Sequence, residues 1–470
     1  MANTKDDIVI YDYIIIGGGT SGAVAARRLA EGKDHYNVCL IEAGRSHEGI
    51  DNSRMPGGLP ALFQENLVDW GYEMVPQKGC SNRILAASRG RVLGGCSAIN
   101  GTVFTRGAKA DYDRIAGMGN PGWSWNDMLP YFKASETFHP VEWHQADLSA
   151  HGTDGPLHTE PQPLAPISEK VLESFIDQGF EYKPDMFIQG EYEDHPIVYT
   201  SYQLKDPNLT LDRFFYHSPD TLALSIKEWH DTKTGPMTKF IFGCFALKRI
   251  DKTIQDPIWE AAKSEQQCDD PTGQLPNQPH IEFFNTELYI VPPDLHPQSP
   301  SNGEGVFTLI TLLCGPQARG TVRLSSSDPT SKPIIDHAYF DNDLDVAVLA
   351  EGCRLAHEVL MKGRGTKDIM IGAWPKTTSY PTDLNGWKEH VRALSGTCCH
   401  ASGTCKMAPN NDPMGVVDNR LRVRNVEGLR VADVSILPIL NSGHPQAPAY
   451  AIGEKVAHMV LQDAETGKSF

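Results

Sequence analysis

The clearest hydrophobic pattern lies near the start of the chain, where two short apolar runs flank a segment of helical composition. Residues 11–16 form a β-branched run that predicts a buried strand, and residues 23–30 have the Ala, Arg and Leu content of a helix. A second apolar run, residues 38–41, predicts another strand. The order strand, helix, strand indicates the first unit of a Rossmann-like α/β domain.

Two later stretches carry apolar residues at helical spacing. Residues 339–360 predict a linker and an amphipathic helix with apolar positions at Leu344, Val348, Leu355 and Val359. The last helix is predicted from residue 447 to about residue 462, with a buried stripe of Ala449, Ile452, Gly453, Val456 and Val460. By contrast, residues 207–303 are polar, rich in proline and poorly patterned, and we expect them to form the variable wall of a substrate pocket.

A glycine-rich loop of the phosphate-binding type joins the first strand to the first helix. In order, its residues are Gly17, Gly18, Gly19, Thr20, Ser21 and Gly22. Gly17 permits the tight turn, Gly19 lets the backbone approach a pyrophosphate, and Gly22 lets the helix pack close to the strand. The start of the helix, next to Thr20 and Ser21, presents free N–H groups and a partial positive charge to phosphates.

Glu42 directly follows the second predicted strand and lies 20 residues past Gly22. At that distance a carboxylate can accept hydrogen bonds from both hydroxyls of a ribose. A glycine cluster alone usually marks a turn, whereas a strand, a helix and an acid in register favour dinucleotide binding.

Composition narrows the class of protein. The chain of 470 residues has 40% hydrophobic residues, 42 Gly and 33 Pro, as expected for a loop-rich α/β enzyme with two domains. Its net charge of −17 argues against nucleic acid or an anionic membrane as the main partner, and no stretch approaches the ~20 apolar residues of a membrane span. Residues 1–8 are too polar for a secretory signal, so we expect a cytoplasmic protein whose ten cysteines are reduced.

Residues 90–102 form a second glycine-rich stretch, with the sequence GRVLGGCSAINGT. Its paired small residues let backbone pack against a flat ligand, and the amide of Asn100 can hydrogen-bond such a ligand. By itself the stretch is equally compatible with a glycine-rich hairpin. Together with Phe104, Gly107 and Asp113, however, its spacing resembles the first signature of the glucose–methanol–choline (GMC) oxidoreductases.

The resemblance implies FAD as the cofactor. Cys96 stands where the family usually has Gly, Ser or Thr, which is a small change. Ile99 stands where some members have a histidine that links FAD covalently, so we expect FAD to be bound noncovalently. By resemblance, further FAD contacts come from Arg91, Gly95, Cys96, Asn100, Gly101, Val103, Asp433, Pro445 and Gln446.

Two histidines near the C-terminus lie in segments that resemble the reactive part of the same family. His400 opens the sequence HASGTCKM, and His444 lies in NSGHPQ just before the last predicted helix. Two imidazoles above a flavin can take the proton of an alcohol while hydride leaves the carbon for the ring. The resemblance implies that His400 is the general base and that His444 orients the substrate hydroxyl and shares the proton.

Zinc is an alternative for part of this region, because Cys398, Cys399, His400 and Cys405 lie close together in the sequence. Their spacing lacks a C-x2-C pair and a matching second half, so we expect no metal. A loop rich in Pro, Asp and Gly carries four scattered histidines that favour scaffolding over a metal site: His139, His144, His151 and His158.

The resemblance breaks near residue 190. It covers residues 8–190 and then about 190–463, but residues 190–196 resemble a segment that lies much further on in relatives, so on the order of a hundred residues are missing. In relatives, that part holds strands that complete the flavin domain, a backbone contact to adenine and the second family signature. Its loss is expected to expose a sheet edge and apolar surface unless other segments cover them.

These observations predict an FAD-dependent GMC-type oxidoreductase of the α/β class (α+β overall). Its Rossmann-like FAD-binding domain is discontinuous, with residues 1–135 as the N-terminal part and residues 391–470 as the C-terminal part, and residues 136–390 form a substrate domain with an antiparallel sheet. The expected reaction converts an alcohol to a carbonyl, with dioxygen or another electron acceptor as partner. The alternatives are a non-redox, FAD-containing lyase on the same scaffold and a non-catalytic deletion variant.

Overall fold

The computed structural model describes residues 9–32, 35–58, 68–182, 191–192, 195–292, 295, 299–301, 303–376, 378–441 and 443–467. Two features predicted from the sequence lie outside the described residues: the polar start, residues 1–8, and the junction at residue 190. Ser442 of the NSGHPQ segment lies outside them as well. Within the described part of the chain, no helix is long and apolar enough to cross a bilayer.

Helices and strands are numbered here in chain order. The helices are α1 (Thr20–Ala30), α2 (Lys109–Gly117), α3 (Trp125–Ser135), α4 (Pro166–Asp177), α5 (Asp212–Phe215), α6 (Pro219–Thr232), α7 (Pro257–Gln266), α8 (Asp343–Lys362), α9 (Leu384–Leu394) and α10 (Gln446–Glu465). The strands are β1 (Tyr13–Ile16), β2 (Val38–Ile41), β3 (Glu136–Phe138), β4 (Leu157–Thr159), β5 (Glu191–Tyr192), β6 (Pro196–Leu204), β7 (Phe242–Lys248), β8 (Ile281–Thr286), β9 (Gly305–Leu313), β10 (Thr321–Arg323), β11 (Ile334–Asp336), β12 (Met370–Ala373), β13 (Ser395–Thr397) and β14 (Leu440–Asn441).

The predicted strand–helix–strand unit is confirmed, since β1 and β2 pair in parallel on either side of α1 in the sequence. α1 packs against α10 from the other end of the chain. Ser21 Oγ donates a hydrogen bond to the Ala449 carbonyl at 2.7 Å, and a Cβ on Gly453 would lie 2.6 Å from the Ser21 carbonyl oxygen. All five residues of the predicted α10 stripe are buried, but so is every residue from Ala447 to Ala457 except Tyr450, so α10 is enclosed on most sides rather than along one stripe. The N-terminal and C-terminal segments therefore form one packed unit.

The prediction that residues 11–16 form a buried strand is wrong for one face of the sheet. The register pairs Ile16 with Ile41, so Ile14, Ile16 and Ile41 share a face, and their side chains are 58%, 82% and 50% exposed. Among the described residues, β1 and β2 pair only with each other. The expected exposure of apolar surface is confirmed, because no described strand extends this sheet.

The larger sheet is antiparallel, as expected for a substrate domain. Its strand order is β12-β6-β9-β8-β7, and β13 pairs with the start of β6. Two of these strands, β7 and β8, come from residues 207–303. This region was expected only to form the variable wall of a substrate pocket, but it also supplies part of the sheet. Every residue of β8 is buried. The strand was hard to recognise because Glu282, Asn285 and Thr286 are polar although buried.

α8 confirms the helix predicted after residue 339 but corrects its pattern. Every residue from Leu344 to Cys353 is buried, so the first half of α8 is enclosed on all sides rather than along one stripe. α4, α7, α9, β8 and β9 pack around the helix. Its second half is amphipathic, with Val359 buried and Leu355 half-buried.

Glu287, just after β8, is a buried carboxylate with a raised pKa. Its Oε1 accepts hydrogen bonds from the Ala165 N–H and the Ser168 hydroxyl, both at 2.7 Å, and the residue is 3% exposed. Burial raises the pKa of Glu287 to about 7. Because this value lies above the unfolded-state value of roughly 4.3, the folded state binds more protons between the two. The free energy of unfolding therefore falls as the pH rises from about 4 to about 7.

We expect Glu287→Gln to raise the free energy of unfolding at pH 8 by about 3 kcal/mol, since the amide keeps the acceptor oxygen without the buried charge. Urea unfolding at pH 5 and pH 8 measures the effect. Part of the pH dependence remains, because burial also raises the pKa values of Asp212 and Asp345 to about 6. Glu265→Gln, at an exposed position of α7, is the control. An unchanged difference between the two pH values in Glu287→Gln would contradict this account.

Candidate functional site

The two glycine-rich segments lie against each other beside the start of α1. The Gly94 N–H donates a hydrogen bond to the Gly18 carbonyl at 2.8 Å, and a Cβ on Gly95 would lie 2.7 Å from Gly19 Cα. α1 begins at Thr20, and its N-cap, Gly19, makes no side-chain hydrogen bond. The first N–H groups of α1 are therefore available to a phosphate.

Glu42 and the first glycine loop form a cradle at the ends of β1 and β2. Glu42 Oε2 accepts a hydrogen bond from the Gly18 N–H and Oε1 accepts one from the Gly44 N–H, both at 2.7 Å. These bonds fix the carboxylate and leave lone pairs for ribose hydroxyls. Gly17 has a φ of +104°, which favours glycine, and a Cβ on Gly22 would lie 2.0 Å from the Gly17 carbonyl oxygen. The cradle fits the adenosine diphosphate part of a dinucleotide.

The other predicted cofactor contacts lie on the second glycine-rich segment and around the start of α10. Asn100 Oδ1 accepts a hydrogen bond from the Thr102 N–H at 3.0 Å, and this bond leaves the NH2 group of Asn100 available as a donor. Cys96 Sγ accepts a backbone N–H at 3.4 Å. The exposed Asp433 caps its own turn through the Ser435 N–H at 2.8 Å. Arg91, another predicted contact, is exposed. The remaining predicted contacts are buried or half-buried, namely Gly95, Gly101, Val103, Pro445 and Gln446.

The loop before α10 is held against the second glycine-rich segment. The His444 N–H donates a hydrogen bond to Thr105 Oγ1 at 2.8 Å, and a Cβ on Gly443 would lie 2.4 Å from the same oxygen. Asn441 Nδ2 donates to the Arg106 carbonyl at 3.4 Å. These contacts place His444 beside the predicted flavin contacts, at the N-terminus of α10.

Three buried histidines come together where β6 and β13 meet. His195 precedes β6 and His400 follows soon after β13, and the antiparallel pairing of Pro196 with Thr397 brings them side by side. Their Nδ1 atoms lie 2.7 Å apart, so one ring donates a hydrogen bond to the other. The rings of His400 and His444 have their centroids 4.8 Å apart and are nearly perpendicular. The structure thus assembles the predicted pair and adds His195 to it.

His195 is held in its neutral form. Burial lowers the pKa of His195 well below its ordinary value, and the charge of His444 lowers it further. A neutral His195 can accept the Nδ1–H of His400, and in that arrangement His400 Nε2 is an acceptor that can take a proton from a substrate.

His444 faces side chains from β7 and β8. Its ring lies edge-on to those of Phe245 and Phe284, at centroid distances of 6.0 and 5.8 Å. Glu282 Oε1 lies 3.8 Å from His444 Nε2. Sequence reasoning missed these three residues and His195. One signal was present, because Glu282 is an acid inside the otherwise apolar run IEFF.

The cluster weighed as a zinc site is brought together only in part. Cys398 and His400 gather with His444, and the ligand atoms of the three lie within 4.8 Å of one another. Cys399 is exposed and Cys405 is half-buried, and neither belongs to this group among the described residues.

A phosphate-binding loop, a fixed acid for a ribose and a buried histidine pair in a mixed α/β framework define a flavoprotein oxidoreductase. The chain belongs to the GMC oxidoreductases: the N-terminal part of the family described as "GMC oxidoreductase" matches residues 11–190, and the C-terminal part matches residues 316–453. FAD is the cofactor of this family, which confirms the predicted cofactor.

Similar proteins span nearly the whole chain. Pyranose dehydrogenase 3 of Leucoagaricus meleagris is 26% identical, with 97% of this chain and 93% of the relative covered. The oxygen-dependent choline dehydrogenase of Sinorhizobium medicae is 28% identical, with 96% and 95% covered. The structure of formate oxidase from Aspergillus oryzae superposes with a TM-score of 0.86 at 24% identity, covering 98% of this chain and 99% of that one.

The same alignments show that part of each relative has no counterpart in this chain. The alignment with the pyranose dehydrogenase runs over 580 residues, more than the 470 of this chain, so part of that relative has no counterpart here. The N-terminal family match ends at residue 190, the position predicted for the junction.

Gly95 offers a direct test of the cofactor cradle. It has a φ of +56°, and a Cβ there would press on Gly19, so we expect Gly95→Ala to displace the phosphate loop and raise the Kd for FAD at least about tenfold. FAD titration followed by fluorescence measures the change. Gly117→Ala, at the end of α2, is the control because its Cβ would meet nothing within 4 Å. Equal FAD affinity in both variants would show that FAD does not use this cradle.

Proposed function

We propose that this chain oxidises a small alcohol to the corresponding carbonyl compound, with bound FAD as the hydride acceptor. The observation that carries the proposal is the buried contact between His400 and His444 at the start of α10. Similar proteins bear the names pyranose dehydrogenase, choline dehydrogenase and aryl-alcohol oxidase, which supports a hydroxyl-bearing substrate. Both oxidases and dehydrogenases occur among these names, so dioxygen or another electron acceptor is the proposed second partner.

The proton is handled by residues of this chain. His400 Nε2 takes the proton of the substrate hydroxyl, while its Nδ1–H donates to His195 and keeps the ring in place. His444 Nε2 has no hydrogen-bond partner among the described residues and orients the hydroxyl. Phe245 and Phe284 exclude water on the side of β7 and β8. FAD, when bound, supplies the acceptor for the hydride.

The phosphate cradle and the region of the histidine pair fit the two ends of the cofactor. A Cβ on Gly19 would meet only Gly95 Cα, at 4.0 Å, so a ligand can approach this backbone closely. Glu42 lies at the ribose position described above. At the other end, the N-terminus of α10 contributes a partial positive charge beside His444, which favours negative charge on a group held there.

Anaerobic reduction tests the proposal. The purified chain is loaded with FAD, alcohols of several classes are added without oxygen, and the visible flavin absorbance is followed. Bleaching by an alcohol is the expected result. A flavin that stays oxidised with primary, secondary and aromatic alcohols would contradict alcohol oxidation and would favour the lyase alternative.

The exposed apolar face of β1 and β2 favours a second candidate for the function of this chain, namely a non-catalytic deletion variant. Ile14, Ile16 and Ile41 lie exposed on the sheet that carries the phosphate loop, and a poorly covered sheet weakens the platform beneath a cofactor. The visible spectrum of the purified chain after addition of FAD separates the candidates. About one flavin per chain after gel filtration supports the enzyme, whereas a colourless protein supports the deletion variant.

The domain limits at residues 135 and 390 are part of the same proposal. One buried apolar cluster combines residues 25–132 with residues 407–460, which supports a discontinuous cofactor domain. The buried cluster of the substrate domain also includes Met74, Cys80, Leu85 and Ala87, so these residues of the N-terminal part pack with the substrate domain. Limited proteolysis that leaves fragments with other limits would contradict this division. A cytoplasmic location stays a prediction, and cell fractionation tests it.

A further inference from the structure

Cys398, His400 and His444 form a compact group of metal-binding side chains that alcohol oxidation does not require as a set. Their ligand atoms lie within 4.8 Å of one another. A tetrahedral zinc ion, at about 2.0–2.3 Å from each ligand, holds its ligands roughly 3.5 Å apart. Side-chain rotations that move the atoms by about 1 Å would therefore close the group around an ion. One thiolate and two imidazoles are a typical ligand set for zinc.

A second observation points to a cation at this place. His444 Nε2 and Glu282 Oε2 are both buried, and neither has a hydrogen-bond partner among the described residues. The two residues are 8% and 4% exposed, and His444 Nε2 lies 3.8 Å from the other carboxylate oxygen, Oε1. A buried imidazole and a buried carboxylate that meet without a good hydrogen bond are satisfied when a divalent cation binds between or beside them.

The segments that carry these side chains are anchored to one another. The Cys398 N–H donates a hydrogen bond to the His195 carbonyl at 3.1 Å, and the His444 N–H is held by Thr105. Glu282 lies within β8, which pairs on both sides, with β7 and β9. The ligands therefore come from β8, from the end of β13 and from the start of α10, whose backbones are fixed before an ion arrives. Such preorganisation favours binding.

We propose that Cys398, His400 and His444, with Glu282 beside them, bind one divalent cation of the zinc type, and that the bound cation reversibly blocks oxidation. Binding requires the thiolate of Cys398 and unprotonated ring nitrogens of His400 and His444, so it releases protons and weakens as the pH falls. A ring nitrogen that donates its lone pair to the cation has none left to accept a proton from a hydroxyl. Only the effect on activity rests on the proposed function, because binding is measured without substrate.

The experiment uses the full chain with FAD added and no substrate. Cobalt(II) is titrated as a coloured probe and then displaced by zinc(II). We expect one cobalt per chain, with a tetrahedral visible spectrum and a thiolate-to-cobalt charge-transfer band, and zinc should abolish both. Cys398→Ser should weaken cobalt binding at least about tenfold and remove the thiolate band, whereas Cys405→Ser, a half-buried cysteine outside the group, should retain both.

A second measurement needs no variant and covers the case in which Cys398→Ser does not fold. Zinc(II) should slow alkylation of Cys398 in the parent chain, read by mass spectrometry, without slowing that of Cys268, which is also half-buried. Equal alkylation of Cys398 with and without zinc would overturn the proposal. The exposed His139 and His158 form a competing pair of metal ligands, with His139 Nε2 2.7 Å from His158 Nδ1. Cobalt binding that survives Cys398→Ser but disappears in His139→Ala would therefore also overturn the proposal.

The two proposals fail in different ways. Metal binding at Cys398 in a chain that oxidises no alcohol would support the cation site and contradict alcohol oxidation. Alcohol oxidation that is insensitive to zinc, in a chain without the thiolate band, would contradict the cation site alone.

Discussion

Replacing His400 by asparagine is expected to lower the rate constant for flavin reduction by alcohol about 10²- to 10⁴-fold. The substitution removes the Nε2 acceptor that takes the hydroxyl proton. It also breaks the 2.7 Å contact with His195, which holds the ring. His444→Asn should cause a smaller loss, expressed partly as a higher KM, because an amide at that position can still orient the hydroxyl.

Stopped-flow reduction under anaerobic conditions measures the effect without the reoxidation step, and the flavin content of each variant is determined first. His230→Asn, at an exposed position of α6, is the matched control and should reduce its flavin at the rate of the parent chain. A His400→Asn variant that keeps its FAD and is reduced as fast as the parent would show that the base lies elsewhere.

Breaking the buried pair of Arg106 and Glu136 is expected to lower the free energy of unfolding by about 3–5 kcal/mol. Both side chains are fully buried, and Arg106 Nη2 lies 2.6 Å from Glu136 Oε2. The same carboxylate accepts hydrogen bonds from the Gly152 N–H at 3.0 Å and the Thr159 hydroxyl at 2.8 Å, and it contacts His151 Nδ1 at 3.1 Å. Removing the acid leaves the buried guanidinium without its carboxylate partner.

The sign of the pH dependence at Glu136 is opposite to that at Glu287. Burial alone would raise the pKa of Glu136, but the hydrogen bond from His151 and the charge of Arg106 outweigh burial and lower it. The stabilisation is therefore present above the unfolded-state pKa and is lost as the pH falls through the lower, folded-state value. Acid should weaken this part of the structure.

Urea unfolding of Glu136→Gln at pH 7 measures the loss. Glu31→Gln, which breaks an exposed pair with Arg27, is the control and should cost less than about 1 kcal/mol. A double variant, Arg106→Met with Glu136→Gln, should be more stable than Glu136→Gln alone, because it removes the buried charge and keeps an acceptor oxygen beside Gly152 and Thr159. If Glu136→Gln is as stable as the control, the pair does not hold this region together.

The Arg106 pair also bears on the candidate site. The Arg106 carbonyl accepts hydrogen bonds from the Tyr112 hydroxyl at 2.6 Å and from Asn441 Nδ2 at 3.4 Å. Asn441 lies three residues before His444, so the pair supports the backbone that positions the histidine. Loss of the pair should therefore lower FAD affinity as well as stability.

The parts that could be read from the sequence depend on neighbours along the chain. The phosphate loop lies between a strand and a helix that are adjacent in sequence, and the turn itself requires Gly17 and Gly22 for backbone reasons that do not depend on the rest of the fold. The position of α10 was also predictable from its helical periodicity, although the helix is buried on more sides than a single stripe.

The parts that could not be read depend on burial from several directions. The polar residues of β8 made this buried strand unrecognisable in the sequence. Asn285 is buried because it accepts a hydrogen bond from the Cys244 N–H and donates one to Ser168, and both partners are far away in the sequence. α8 packs against five elements, and every residue from Leu344 to Cys353 is buried, so the first half of the helix has no exposed polar face. Local patterns report one face of an element, whereas tertiary packing decides how many faces are covered.

The sequence by itself determined the family, the cofactor and the two candidate catalytic histidines. The motifs that indicate them are short runs of consecutive residues, which can be recognised without the tertiary structure. Only the tertiary structure decided that His195 joins His400, that Glu282 and the two phenylalanines face His444, and that Ile14, Ile16 and Ile41 lie bare. These contacts join residues far apart in the chain, and long-range pairing is set by which surfaces bury one another.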